Sequence, residues 1–137
     1  MSDENVRIVR RIYDTLEAPD ESVWALWDRN VDFDVSRDVW GPLVGGGRYR
    51  GTEGVRRWML DLYSAWERME LDCEELIDVG DRVVSVLRVH GWGRLSGIEV
   101  EYRPAGIWTL RDGRVVRVVW FASRDDALEA VGHAGSS

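Results

Sequence analysis

Residues 82–93 read Arg82-Val-Val-Ser-Val-Leu-Arg-Val-His-Gly-Trp-Gly93, and glycine-containing turns stand before and after them. A run of this length that is rich in valine indicates a β-strand. Three more strands are predicted around it, at 69–79, 97–111 and 114–122. Because short turns join these four strands, we expect an antiparallel meander in which 82–93 pairs with 97–111.

Apolar residues recur at helical spacing in the first half of the chain. They predict helices over 3–17 and 52–67, and a shorter helix from Glu21 to about Arg29 with a strand at 31–35 after it. A final short helix is predicted from Arg124 to Val131. Helices followed by an antiparallel meander are the order of an α+β domain. We expect a cone-like curved antiparallel sheet wrapped around the three N-terminal helices.

The composition excludes several classes of function. The 137 residues suit one domain, predicted over 1–131 with a flexible tail at 132–137. A formal net charge of -7 argues against a nucleic-acid partner, because phosphate binding requires a basic face. No apolar run reaches the roughly 20 residues of a membrane span and no signal-peptide pattern is present, so we expect a cytoplasmic protein without membrane contact. Lysine is absent and Cys73 is the single cysteine, and we expect neither a cofactor nor a metal.

Arg88 and His90 are the candidate catalytic residues. Side chains alternate along a strand, so Arg88, His90 and Trp92 share one face of the strand 82–93. An imidazole with an ordinary pKa of about 6.5 can transfer protons near neutral pH, and a guanidinium can stabilise developing negative charge. Two structural alternatives stay open: His90 could bond to the backbone within a core, and Arg88 could pair with an acid.

Large aromatic side chains are predicted to line a cavity with these two residues. Strand parity places Tyr102 and Trp108 on the same side, and the glycine-rich loop 37–51 carries a further tryptophan that could cap the cavity. Each aromatic residue could instead fill the core. The predicted ligand-binding residues are Trp40, Trp58, Trp92, Tyr102, Trp108 and Trp120.

Several phrases of the sequence carry a family resemblance. They are Asn5-Val-Arg-Ile-Val-Arg-Arg-Ile-Tyr13, Asn30-Val-Asp-Phe-Asp34, Tyr49-Arg-Gly-Thr-Glu-Gly-Val55, Gly80-Asp-Arg-Val-Val84, Trp108-Thr-Leu-Arg-Asp-Gly-Arg-Val115 and Ser123-Arg-Asp-Asp-Ala-Leu128. Together they resemble the SnoaL-like branch of the nuclear transport factor 2-like superfamily over nearly the whole chain. That superfamily includes ketosteroid isomerase, scytalone dehydratase, limonene-epoxide hydrolase, polyketide cyclases and members that only bind or scaffold, so the resemblance implies a fold and not a reaction.

Known catalytic patterns of the family match this chain only in part. Epoxide-hydrolase members carry an arginine and an aspartate two apart where Arg88 and His90 stand, and a second aspartate where Trp120 stands. Both aspartates are therefore missing. In an ungapped register, the first-helix tyrosine of ketosteroid isomerase falls on Ile12, next to Tyr13. The aspartate base of that enzyme falls near Asp34, which strand parity turns away from the interior.

Two functions follow from the sequence. The first is a cofactor-independent acid/base isomerase, cyclase or dehydratase that acts on a small apolar, polyketide-like or steroid-like substrate through His90 and Arg88. The alternative is a non-catalytic module with a degenerate site that binds a hydrophobic ligand or dimerises. We also expect a homodimer, because Leu87, Val89, Ile107 and Val119 are predicted to form an apolar patch on the exposed side of the sheet.

Overall fold

The computed structural model describes residues 2–16, 18–37, 47–94 and 96–132, in which it has four helices and seven strands. The helices are α1 (Ser2–Asp14), α2 (Glu21–Trp24), α3 (Gly51–Ala65) and α4 (Arg124–Ala130). The strands are β1 (Trp27–Arg37), β2 (Arg48–Arg50), β3 (Trp66–Val79), β4 (Arg82–Gly93), β5 (Glu99–Tyr102), β6 (Ala105–Arg111) and β7 (Arg114–Phe121). Within this described part of the chain, no helix combines the length and apolar character that a membrane crossing requires.

All seven strands form one curved, unclosed sheet, which confirms the α+β class. The strand order is β2-β1-β7-β6-β4-β3, and β5 pairs with β4 beside β6. The predicted antiparallel pairing of 82–93 with 97–111 is confirmed, since β4 pairs antiparallel with both β5 and β6. β1 and β7 pair in parallel, so the sheet is mixed and not wholly antiparallel. Parallel pairing requires a long connection, and the rest of the domain supplies it.

Three parts of the chain differ from the sequence prediction. The predicted loop 37–51 contains β2, which pairs with β1. The second helix ends at Trp24 instead of continuing to about Arg29. Sheet pairing overrides the helical pattern there, because the N–H of Val115 donates to the carbonyl of Leu26 at 2.8 Å. The predicted strand 97–111 is two strands, because Pro104 has no N–H to continue the ladder.

Strand β4 is covered on both faces over much of its length. Its odd-numbered residues, among them Val83, Leu87 and Val89, pack with the first and third helices in the main core. Its even-numbered residues Val84 and Val86 pack in a second cluster, which α4 joins through Ala127, Leu128 and the adjoining Val131. Both β4 faces are therefore apolar in this region, and the strand does not show a simple alternation of apolar and polar residues.

The predicted apolar dimerisation patch is wrong. Leu87 and Val89 face the main core, 3% exposed each, and Ile107 and Val119 lie in the second cluster beneath α4. The four residues are thus on two different faces, and none of them is exposed. A homodimer stays a prediction, without this patch as its reason. The predicted tail 132–137 lies outside the described residues except for Gly132.

If α4 is the cover of the second cluster, Leu128→Ala is expected to reduce the free energy of unfolding by about 2–5 kcal/mol, the usual cost of a buried Leu→Ala change. Leu60→Ala is the matched control, because Leu60 is 72% exposed, and its effect is expected within about 0.5 kcal/mol of zero. Urea unfolding at equilibrium measures both. Equal effects of the two substitutions would contradict the packing of α4 on the sheet.

Candidate functional site

Aliphatic and aromatic side chains pack together between the helices and the inner face of the sheet. A cavity of about 30 Å³, here called the aromatic cavity, remains among them. Its aromatic lining is Tyr13, Trp27, Phe33, Trp58, Tyr63, Trp108 and Trp120. A side cavity of about 20 Å³ shares Trp58 and Trp120 with it and adds Tyr102. Each space admits a group the size of water and is far below the roughly 300–1,000 Å³ of typical ligand pockets.

A wider space, the mouth cavity, lies next to the aromatic cavity and has a volume of about 470 Å³. The end of α1, the end of α3 and the start of β3 form its walls. It shares Tyr13, Leu16, Tyr63 and Leu71 with the aromatic cavity, so the two spaces adjoin. Among the described residues that line the three cavities, the single carboxylate is that of Asp14, at the mouth, and none is basic.

The buried hydroxyl of Ser85 is the polar centre of the interior. Ser85 is 0% exposed, and its Oγ accepts a hydrogen bond from Trp108 Nε1 at 2.9 Å. The same Oγ is 2.8 Å from the hydroxyl of Tyr13, with either atom as the donor. Burial raises the pKa of Tyr13 well above its ordinary value, so its phenol stays protonated and acts as a hydrogen-bond partner and not as a base.

Trp120 lies at the junction of the aromatic and side cavities. It is 4% exposed, and its indole N–H has no hydrogen-bond partner among the residues that the structure describes. Gly106 faces it on β6, where a Cβ would lie 3.0 Å from Cζ3 of the ring. The glycine therefore allows the indole to lie close against the strand.

The predicted convergence of Arg88, His90 and Trp92 on the cavity is wrong. These even-numbered residues of β4 lie on the opposite face from the cavities, next to carboxylates of the neighbouring strands. Arg88 Nε donates to Glu101, which raises the pKa of Arg88, and His90 Nε2 lies 2.7 Å from Glu99 Oε1. The physical reason is solvation: long polar side chains take the face where water and acidic partners are available.

The other predicted residues divide between the interior and the undescribed part of the chain. Trp58, Tyr102, Trp108 and Trp120 line the interior cavities, and their contact with a ligand stays a prediction. Trp40 lies outside the described residues. Within the described part of the chain, no group of three or more His, Cys, Asp or Glu side chains is placed to hold a metal ion.

Sequence reasoning missed Ser85 and Trp27. Ser85 is the one polar residue in the run 83–87, and it has the same parity as Leu87 and Val89, so it could have been recognised as the polar centre of an apolar strand. Trp27 falls within the helix predicted from Glu21 to about Arg29, yet it begins β1 and lines the aromatic cavity. Asp34 faces away from the main core as predicted, but it is buried and its Oδ1 accepts hydrogen bonds from Ser36 N and Oγ.

Comparison with known proteins agrees with this architecture. The model of the SnoaL-like domain family matches residues 9–118. TerC, co-crystallised with polyporic acid, has a similar structure with 23% identity, covering 92% of this chain and 96% of that chain with a TM-score of 0.73. An NTF2-like protein of unknown function from Burkholderia pseudomallei K96243 has 20% identity, covers 92% of this chain and 95% of that chain, and has a TM-score of 0.74. A protein described as a SnoaL-like polyketide cyclase from Jannaschia sp. CCS1 has 23% identity, 96% and 91% coverage, and a TM-score of 0.71. No curated protein matches the sequence.

Ser85→Ala is expected to destabilise the protein more than Tyr13→Phe. Removing the Ser85 hydroxyl leaves both Trp108 Nε1 and the Tyr13 hydroxyl without a partner, at about 1–3 kcal/mol each. Tyr13→Phe leaves the Trp108–Ser85 bond intact and should cost about 1 kcal/mol. Urea unfolding measures both, with Ser64→Ala as the exposed control. A Tyr13→Phe effect equal to that of Ser85→Ala would argue against Ser85 as the shared partner.

Proposed function

The chain belongs to the SnoaL-like domain family, and on this premise we propose that it binds a small, uncharged and largely apolar molecule inside its cone. The observation that carries the proposal is the mouth cavity of about 470 Å³ beside an inner cavity lined by aromatic rings together with aliphatic side chains. Concave sites with an apolar wall and a few placed polar groups are the usual form of small-molecule sites.

The size of the cavities sets how the ligand would bind. The mouth cavity has room for the body of a ligand, whereas the aromatic cavity admits only a small projecting group unless its rings move apart. Trp58 is the ring best placed to move, because it lies on α3 and is partly exposed. Its movement would break its stack on Trp120, in which the ring centroids are 6.5 Å apart at an interplanar angle of 14°. Binding is therefore expected to shift α3 side chains.

One polar contact is available at the inner end of the mouth. Ser85 accepts from Trp108 and can donate its own proton to the oxygen of Tyr13, which leaves the Tyr13 O–H free to donate to a ligand oxygen. A carbonyl or hydroxyl oxygen fits this donor. A carboxylate does not fit, because no basic side chain lines the three cavities within the described residues and a buried unpaired charge is costly.

The similar proteins support a small-molecule role. TerC was crystallised with polyporic acid, and the Jannaschia protein is described as a polyketide cyclase. A polyketide-like ring compound with an oxygen substituent is consistent with both descriptions and with the aromatic lining of this chain.

Acetophenone and benzoate test the proposal, because they have nearly the same shape and differ in charge. We expect acetophenone to bind and benzoate to bind at least about tenfold more weakly, as followed by amide chemical shifts in ¹⁵N-labelled protein. Leu16→Trp, which fills the boundary between mouth and interior, should weaken acetophenone binding by about tenfold. The control is Leu60→Trp on the exposed face of α3.

Two results would contradict the proposal. One is benzoate binding as tightly as acetophenone, which would show that charge does not matter at the site. The other is full acetophenone affinity in the Leu16→Trp variant, which would place binding elsewhere on the protein.

Acid/base catalysis is the second candidate function, and the observation in its favour is that Asp14 and Tyr13 both line the mouth cavity. Asp14 would remove a proton next to a ligand carbonyl, and the Tyr13 O–H would stabilise the enolate oxygen. Arg88 and His90 take no part, because they lie on the other face of β4.

The catalytic candidate predicts that the protein accelerates deuterium exchange into the methyl group of acetophenone in D₂O. Asp14→Asn should return the exchange to the uncatalysed rate, because its amide cannot accept the proton as a base, while acetophenone still binds. His90→Ala is the control and should leave exchange unchanged. Exchange that is equal with and without the wild-type protein would leave ligand binding as the function.

A further inference from the structure

The two tryptophans deepest in the interior differ in their hydrogen bonding. Trp108 and Trp120 are 2% and 4% exposed, and their ring centroids are 6.3 Å apart at an interplanar angle of 77°. The N–H of Trp108 donates to Ser85, whereas the N–H of Trp120 has no partner within the described part of the chain. Buried indole N–H groups are usually paired, so this exception requires an explanation.

Packing fixes the orientation of the Trp120 indole. Gly106 supports one part of the ring, with no side chain between the ring and β6. Trp58 stacks on it, and Phe33 lies with its ring centroid 6.5 Å away. In the free protein these contacts hold the ring in an orientation in which its N–H has no partner among the described residues. A phenylalanine would fill an apolar contact of this kind without leaving a donor unpaired.

The position of Trp120 connects this donor with the ligand site. Trp120 lines the aromatic cavity and the side cavity but not the mouth cavity, whereas Tyr13 lines the mouth. The two side chains therefore line different depths of the same site. No charged residue among those described lines the two inner cavities, which makes a neutral acceptor the suitable partner.

We infer that the Trp120 N–H is a specificity-determining donor that selects uncharged aryl carbonyl compounds, whose oxygen enters the inner cavities and accepts its hydrogen bond. This inference rests on the proposed function, because it names the ligand class of the same site. A ligand without an acceptor would leave the Trp120 N–H buried and unpaired in the complex. Sites with a buried donor discriminate strongly against ligands that lack the matching acceptor.

The test uses acetophenone and α-methylstyrene, which differ in having C=O or C=CH₂ at the same place. The second compound is intrinsically more hydrophobic, so the measured quantity is the change in the affinity ratio between wild-type and variant proteins. Trp120→Phe should shift that ratio against acetophenone by about tenfold, the effect of one buried hydrogen bond. Trp92→Phe is the control, because Trp92 lies on the outer face of β4 away from both cavities, and it should leave the ratio within about twofold.

The indole N–H resonance of wild-type protein gives a second readout that does not depend on how well a variant folds. After its assignment by through-space connectivities, the Trp120 signal should move downfield with acetophenone and not with α-methylstyrene. Suppose that both probes bind, that Trp120→Phe leaves their affinity ratio unchanged, and that the Trp120 resonance moves equally with each probe. The specificity role of Trp120 is then overturned, and the binding function stands. If neither probe binds up to its solubility limit, both the aryl carbonyl class and the proposed binding function are overturned.

Discussion

The hydroxyl of Ser85 joins the first helix to the middle of the sheet. It accepts a hydrogen bond from Trp108 on the adjoining strand and shares one with Tyr13 on α1, all within the interior. A buried polar group of this kind is stable only when it is paired, so it fixes which face of β4 turns inward. Val83, Leu87 and Val89 follow it inward by strand parity, and the helices pack on that face.

The even-numbered residues of β4 form its outer face, and their character changes along the strand. Val84 and Val86 turn outward where α4 covers the sheet, and Arg88 and His90 turn outward where Glu101 and Glu99 pair with them. The acidic side chains of the neighbouring strands balance these two bases. Such exposed ion pairs contribute little to stability. Their effect is on register, because a slip by one residue would bury the arginine and the imidazole among tryptophans.

The sequence predicted the α+β class and most strands because long, valine-rich runs and glycine turns are local signals. It also placed Trp58, Tyr102, Trp108 and Trp120 in the interior. The parity of β4 could not be obtained from a local pattern, since both of its faces are apolar near Val84. The early end of α2 and the parallel pairing of β1 with β7 depend on contacts between distant segments. The prediction that Arg88 and His90 face the cavity was wrong for the same reason. Polar residues that alternate along one strand share a face, but the pattern does not show whether that face is the enclosed one.

A cone so full of aromatic rings has a consequence for recognition. Close packing leaves the empty interior small, so under the proposed function a ligand would have to separate rings that already contact one another. Only a ligand that replaces those contacts would do so at low cost. Shape alone then favours flat, apolar molecules without distinguishing among them. Directional groups must supply the distinction, and Tyr13 and Trp120 offer hydrogen-bond donors at two depths. An unpaired buried donor lowers the stability of the free protein, and under the proposed function a ligand oxygen that pairs with it would recover that loss on binding.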